Sequence, residues 1–325
     1  MGTVGSSVLR RVLAVLLVLL VVVLIAGRWQ YEGSLVTIML TAITGLLILG
    51  GAAAVLLAAA LLRAYWLAGA ALVLCAVQVL WLAGSYLRAG EQPVPAGATT
   101  IRILSANLLL DNTRIAEQIG VFRESGADLL SLQEVTPEHL AVLMDGGLPS
   151  VYPYSVADPL PGFHGSAIFS KRPLADARAF DVSGFPMTTA TVTVAGTAVR
   201  VVDVHVVAPL SVESVDRWRN QLADLAGMRP DGANRAAVLI GDYNATPDHA
   251  ALQAMTAAGW RDAATEAGNG FALTYPAKGF PGTPLLRIDH AMVSEPLTVV
   301  SARTRDNPGS DHRMLDVVLS VPAAS

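Results

Sequence analysis

The first quarter of the chain has almost no polar rhythm. From residue 12 to residue 87 it is overwhelmingly apolar, and its only charges are Arg28, Glu32 and Arg63. Three apolar runs stand out: 12–27 behind Arg10 and Arg11, then 35–62, then 64–87. Runs of this length match the ~30 Å hydrocarbon core of a bilayer better than they match the helices of a soluble bundle. A cleaved signal peptide imitates the first run alone. Two more runs follow it, which predicts an uncleaved first helix and about three transmembrane helices. The second run has surplus length, so two readings stand. Either it spans from residue 35, or residues 35–44 lie in the interface and 45–62 form the span.

After residue 89 the pattern changes. Residues 90–97, Gly-Glu-Gln-Pro-Val-Pro-Ala-Gly, form a short, semi-extended linker. Beyond it, short apolar stretches bounded by turn residues alternate with helical patterns. Strands are expected from Ile101 and from Leu129, and over 199–207, 236–240 and 314–321, with helices over 113–124, 137–143 and 211–228. This is the signature of a mixed α/β sandwich. The expected organisation is a membrane region over 1–89, a linker over 90–97 and a catalytic domain over 98–325.

Polar groups collect where these strands end. Ser105-Ala106-Asn107 closes the first strand and Leu132-Gln133-Glu134-Val135 the second. Asp203-Val204-His205 lies in the third. The fourth runs into Gly241-Asp242-Tyr243-Asn244-Ala245-Thr246-Pro247. Arg287-Ile288-Asp289-His290 precedes another apolar stretch, and Gly309-Ser310-Asp311-His312 stands before the last strand. Alone, the Gly241 segment is compatible with a plain strand-to-loop turn. Together, the blocks place acids, amides and histidines where loops gather an active site over a sheet.

These blocks, in this order, resemble the endonuclease/exonuclease/phosphatase superfamily, the fold of deoxyribonuclease I, apurinic endonucleases, neutral sphingomyelinases and inositol-polyphosphate 5-phosphatases. The stretch Gly165-Ser166-Ala167-Ile168-Phe169-Ser170-Lys171 resembles a further strand of that family. The resemblance covers residues 98–322 and implies a four-layer αββα sandwich, Mg2+ (with Mn2+ able to substitute) and phosphate-ester hydrolysis. It implies Glu134 as metal ligand, with Asn107 beside it and Asp311 at the metal or its water. His312 is then the general base or a phosphate-contacting acid, oriented by Asp289. Asp242 positions or deprotonates the attacking water, and Asn244 holds a nonbridging phosphate oxygen. His205 contacts the phosphate or protonates the leaving group, as in the deoxyribonuclease and sphingomyelinase branches. His290 is expected to pack beside Asp289, and Arg287 is compatible with site support, phosphate contact or a structural ion pair. His139 and His249 read as surface residues on helices, and His164 as a loop histidine.

Charge narrows the substrate. From residue 98 onward there are 17 Lys and Arg against 24 Asp and Glu, a net of −7. A nonspecific nuclease gains affinity by neutralising phosphates with basic side chains, which this balance disfavours. The single cysteine, Cys75, lies in the third apolar run, so the domain has no disulfide framework. Arg10, Arg11 and Arg63 against Arg28 and Arg88 favour a cytoplasmic amino terminus. Three spans then put the catalytic domain outside the cell, with Trp29, Tyr31, Trp81 and Tyr86 at the outer interface. The organisation resembles the VanJ-type membrane proteins of actinomycetes, associated with teicoplanin-class glycopeptide resistance. That likeness implies a polyprenyl pyrophosphate or another cell-envelope lipid as substrate, nucleic acid being disfavoured. An extracytoplasmic metal-dependent nuclease and a non-catalytic membrane module are the competing readings.

Overall fold

The computed structural model describes residues 2–28, 32–86, 90, 92–94, 97–229, 235–279 and 283–324. Three helices come first: α1 (Gly2–Arg28), α2 (Leu35–Leu61) and α3 (Tyr65–Tyr86). Ser34 caps α2, accepting from the backbone of Thr37 while the Thr37 hydroxyl accepts from Ser34 N, a reciprocal cap that sets where the helix starts. Small and aliphatic residues join the three helices, with Leu13, Leu17, Ile48, Ala52, Val55, Leu67 and Ala71 at their contacts. Arg10 donates to the carbonyl of Leu62, so the amino-terminal part of α1 lies beside the far end of α2.

Among the described residues, one helix, Gly5–Val23, is by itself long and apolar enough to cross a membrane. This corrects the expectation of three spans. The second run is bent by 55° between Leu35–Gly45 and Leu47–Leu61, and the two pieces qualify only when counted together. The bend falls at the boundary set by the interfacial reading of residues 35–44. The third run contributes Tyr65–Leu80, a shorter apolar helix. Trp29, Tyr31 and Arg88 lie outside the described residues, as do the side chains of Trp81 and Tyr86.

The rest of the chain forms two six-stranded mixed sheets. The strands are β1 (Thr99–Asn107), β2 (Leu129–Gln133), β3 (Tyr154–Asp158), β4 (Ser166–Ser170), β5 (Leu174–Val182) and β6 (Phe185–Val194), followed by β7 (Thr197–His205), β8 (Arg235–Asp242), β9 (Arg261–Asp262), β10 (Asp289–Val293), β11 (Thr298–Arg305) and β12 (Met314–Val321). One sheet has the order β11-β12-β1-β2-β4-β3 and the other β5-β6-β7-β8-β10-β9. Ile103, Leu129, Val201, Val238, Ile240 and Val317 meet between the sheets in the principal core. Helices α4 (Ile115–Glu124) and α5 (Pro137–Asp145) cover the first sheet through Ile119, Phe122 and Leu143. Helices α6 (Val212–Gly227) and α7 (Ala250–Ala257) cover the second through Trp218, Leu222, Leu252 and Met255. The result is an αββα arrangement. A short helix, α8 (Ala263–Glu266), is capped by Asp262 at the end of β9.

Each sheet has one parallel pair near its centre, and that places the site. β1 runs parallel to β2 with Asn107 opposite Gln133, and β7 runs parallel to β8 with His205 opposite Asp242. The C-terminal ends of four strands therefore share one edge of the sandwich. β10 and β12 are antiparallel to β8 and β1, so their starting residues return to that edge.

Candidate active site

Asn107 ties the two sheets together at this edge. Its amide nitrogen donates to Glu134 Oε1 at 3.0 Å and to Asp242 Oδ2 at 3.1 Å. Its own oxygen accepts from Leu109 N at 3.0 Å, and Glu134 Oε2 accepts from Leu110 N at 2.7 Å. Asn107 thus acts here as a brace between carboxylates, and a role as ligand requires its amide to rotate. Glu134 and Asn244 hold φ values of +58° and +46°. Non-glycine residues in that region are uncommon and cluster where surrounding structure enforces a functional geometry.

Gly241 is needed for backbone approach. Its φ is +147°, and a Cβ there would lie 2.0 Å from the carbonyl oxygen of Val204 on the neighbouring strand. The close contact keeps β7 and β8 in register, so His205 Nε2 sits 3.8 Å from Asp242 Oδ2 and 3.9 Å from Glu134 Oε1. Among the described residues, His205 Nδ1 is buried without a hydrogen-bond partner.

His312 is differently supported. Its Nδ1 is 2.9 Å from Asp289 Oδ2, and its Nε2 is 3.6 Å from Asp242 Oδ2. Burial alone would lower its pKa, but the charges of Asp289 and Asp242 outweigh that and raise it to about 10. Asp242 is pushed upward, first by burial and then by the nearby Asp289 carboxylate. Its Oδ1 accepts from Asn244 N at 2.8 Å, and the Asn244 amide donates to Val206 O at 2.8 Å. That leaves one amide hydrogen of Asn244 for a ligand oxygen. Asp311 lies in the same cavity and adds to the field that keeps His312 protonated.

The cavity above these groups has a volume of about 550 Å³. Glu134, His164, His205, Asp242, Asn244, Tyr275, Asp311 and His312 line it, as do Ile38, Met39 and Ala42 of α2. Tyr275 faces His312 with ring centroids 5.0 Å apart. His164 packs on Phe185 at 3.9 Å, and burial lowers its pKa to about 4, so it enters the site as a neutral ring. A second cavity of about 530 Å³ lies by Trp260, Arg261 and Gln253, away from the convergent acids and histidines.

Two expectations are corrected. His139 is buried, not exposed: its Nδ1 lies 3.0 Å from the Glu134 carbonyl oxygen, bracing the strained residue from α5. His249 is also buried, at the amino-terminal end of α7, where its Nδ1 accepts from Thr246 N at 2.8 Å. Arg287 is a structural ion pair with Asp262, 2.5 Å apart. Burial would raise the Asp262 pKa, but Arg287 and His290 hold it well below the usual carboxylate range. His290 packs deeper than expected, with Asp262 at 2.8 Å on one nitrogen and the Ala245 carbonyl at 2.8 Å on the other. It thereby braces the loop after Asp242.

Asp203 was missed as a distinct group. It is wholly buried between the sheets, accepts from Ser131 and Gln133, and burial raises its pKa to about 8. Its protonated carboxyl belongs to a polar layer beneath the site.

The oxygen donors at this edge suit a hard divalent cation, which takes carboxylates and retains several waters. Glu134 and Asp311 supply carboxylates in one cavity, with Asn107 beside Glu134. Asp242, Asp289 and His312 form a second group whose ligand atoms lie within 4.8 Å of one another. There the imidazole is already bonded to Asp289, so it serves better as a proton-holding relay than as a cation cage.

Two mixed sheets with helices on both outer faces, and a polar site at one edge, define a deoxyribonuclease I-like sandwich. Residues 104–312 match the Endonuclease/Exonuclease/phosphatase family, and the chain belongs to it. Comparison with curated proteins found no match. Among solved structures, humanized TDP2 from D. rerio is 16% identical with a TM-score of 0.56, covering 68% of this chain and 98% of that one. An endonuclease/exonuclease/phosphatase from Beutenbergia cavernae is 19% identical, TM-score 0.54, covering 68% and 72%. One from Bacteroides vulgatus is 17% identical, TM-score 0.55, covering 69% and 100%. At these identities the likeness speaks to the fold.

Proposed function

We propose that this chain is a membrane-anchored, Mg2+-dependent phosphoesterase that hydrolyses a phosphate or pyrophosphate ester of a lipid at the outer membrane face. The observation that carries the hydrolytic reading is the convergence of Asn107, Glu134, His205, Asp242, Asp289 and His312 at one sandwich edge. Asp242 orients the attacking water, with its carboxylate placed by Asn107 and Asn244. His312, held protonated by Asp289 and Asp242, offers its Nε2 proton to a phosphate oxygen, while the Asp242 carboxylate takes the proton of the attacking water. His205, whose Nε2 approaches the same Asp242 oxygen as that of His312, contacts the phosphate or the leaving oxygen. Asn244 donates to a nonbridging oxygen. Glu134 and Asp311, with Asn107, are the residues suited to hold Mg2+, for which Mn2+ can substitute. When bound, the cation supplies charge neutralisation at the phosphate.

Orientation is supported by the ends of the helices. Arg10, Arg11 and Arg63 gather where the start of α1 meets the end of α2. Glu32 and Ile38, at the start of α2, instead touch the catalytic domain. By the positive-inside rule the arginine end is cytoplasmic and the domain external. This reasoning uses which ends lie together and does not depend on the number of spans. The resemblance to VanJ-type proteins agrees with a cell-envelope lipid, such as a polyprenyl pyrophosphate, as the substrate.

The cavity's described lining contains no Lys or Arg, which argues against a nucleic-acid backbone as its ligand. The test is phosphate release by the full chain in detergent with Mg2+, Mn2+ or EDTA, comparing undecaprenyl pyrophosphate, phospholipids and plasmid DNA. Lipid phosphate release abolished by EDTA and by Asp242→Ala/His312→Ala supports the reading. DNA nicking lost in that double variant, with no release from lipid, selects the nuclease instead.

A further inference from the structure

The first half of α2 leaves the axis of its second half and lies against the catalytic domain. Three attachments hold it there. The Glu32 carboxylate accepts from the backbone nitrogens of Ala250 and Ala251, at 2.5 and 3.4 Å. These are the opening residues of α7, where unpaired N–H groups and the helix dipole favour an anion. His249 Nδ1 accepts from Thr246 N, which leaves its Nε2–H to donate to the Ile38 carbonyl at 3.1 Å. Ile38 itself is 1% exposed and belongs to the core of α6, α7 and β8. Finally, Gly45 lies beside the same loop, at a distance where a Cβ would make ordinary contact with Asp248 Oδ2 at 3.6 Å. The loop that carries Asn244 and ends at His249 is therefore clamped to a segment continuous with the bilayer-facing helix.

This clamp adds apolar residues of α2 to the lining of the catalytic cavity. Acids, amides and histidines make up one part of its lining and the apolar Ile38, Met39, Ala42, Val207, Leu210 and Ile288 another, the first three of these from α2. Apolar side chains remain exposed at its margin, including Met39 (40%), Phe163 (53%) and Leu210 (69%). A water-soluble phosphoester gains nothing from such a wall. Resting on the phosphoesterase reading, we propose that residues 35–45 form one side of a channel for the apolar chain of a lipid whose phosphate lies at Asp242, Asn244 and His312. The occupant follows from continuity: the wall is the same helix that carries on into the apolar bundle through Leu47–Leu61. The chain of the substrate passes from the bilayer along α2 without crossing water, and the phosphate meets the catalytic groups at the channel's inner end.

The proposal is tested with the full chain in detergent, using p-nitrophenyl alkyl phosphodiesters with methyl, octyl and dodecyl groups below their micellar concentrations. Burying a methylene is worth about 0.8 kcal/mol, or about fourfold, so even partial burial of an octyl chain should raise kcat/KM by about 30-fold or more over methyl. Ala42→Trp fills the channel and should bring the octyl-to-methyl ratio below about threefold. Leu210→Ser, on an exposed residue whose loss cannot unfold the domain, should lower the same ratio by at least about threefold. A ratio unchanged in both variants overturns the channel, as does a wild-type ratio near one. If no ester is hydrolysed with Mg2+ or Mn2+ present, the phosphoesterase reading itself falls. Hydrolysis without chain-length preference removes the channel alone.

Discussion

Replacing Asp289 by Asn keeps the shape of the side chain and removes one charge from beneath His312. Asp289 and His312 are 2% and 5% exposed, and the carboxylate oxygen lies 2.9 Å from Nδ1. A buried hydrogen bond between charged partners contributes about 1.5–3 kcal/mol. If that energy is spent holding the imidazolium in position for the phosphate, its loss lowers kcat by about 10- to 150-fold. KM should change much less, because Asp289 does not line the cavity. Steady-state hydrolysis of bis-p-nitrophenyl phosphate by the full chain measures both constants, and a thermal unfolding scan separates lost catalysis from lost structure. Two residues acting as one unit should not add, so Asp289→Asn in a His312→Gln background should cost less than about threefold more. Wild-type kcat in Asp289→Asn, or fully additive losses in the double variant, would refute the assignment of Asp289 as the residue that orients His312.

Other positions give independent readouts. Gly241→Ala drives a methyl group into the Val204 carbonyl, so we expect about 1–3 kcal/mol of destabilisation and separation of His205 from Asp242, seen as a lower melting temperature and reduced kcat together. Arg287→Met leaves the buried Asp262 charge without its principal partner and should destabilise by about 3–5 kcal/mol, whereas a surface Arg217→Met control should move the melting temperature little. His249 has its pKa lowered to about 4 by burial. The unfolded chain takes up that proton near pH 6.5, so the unfolded state binds more protons between about pH 6.5 and 4 and stability falls as pH falls through that window. The largest contribution is about 3 kcal/mol. Melting temperatures from pH 7 to 4 should decline less steeply in His249→Gln, and parallel slopes would exclude His249 as the source.

The residues of the candidate site were legible as a group because each stands near the end of a short apolar run, in an order that parallel pairing converts into a shared edge. Asn107 and Glu134 are 27 residues apart but are brought together by the β1–β2 register. The histidines were harder. A helical pattern says which residues share a face, but not that α5 turns His139 toward the Glu134 carbonyl or that the start of α2 arrives over His249. Asp203 looked like one more polar position in an alternating strand. Its burial depends on Ser131 and Gln133, which reach it from the other sheet. In the apolar amino-terminal region, hydropathy located the three helices but overstated how many are long enough to cross a membrane, and it carried no information about direction. The half of α2 before the 55° bend meets residues more than two hundred positions further along the chain, which hydropathy cannot report.

The pairing of β12 with β1 also sets an order of events during synthesis. β1, the first strand of the domain, has β2 on one side and waits for Met314–Val321 on the other. His312 stands two residues before that last strand, and Asp289 precedes it by only 23. A nascent chain can therefore form α1, build most of the second sheet and still lack His312. The candidate site is completed only when the final strand pairs with β1 and brings His312 to Asp289.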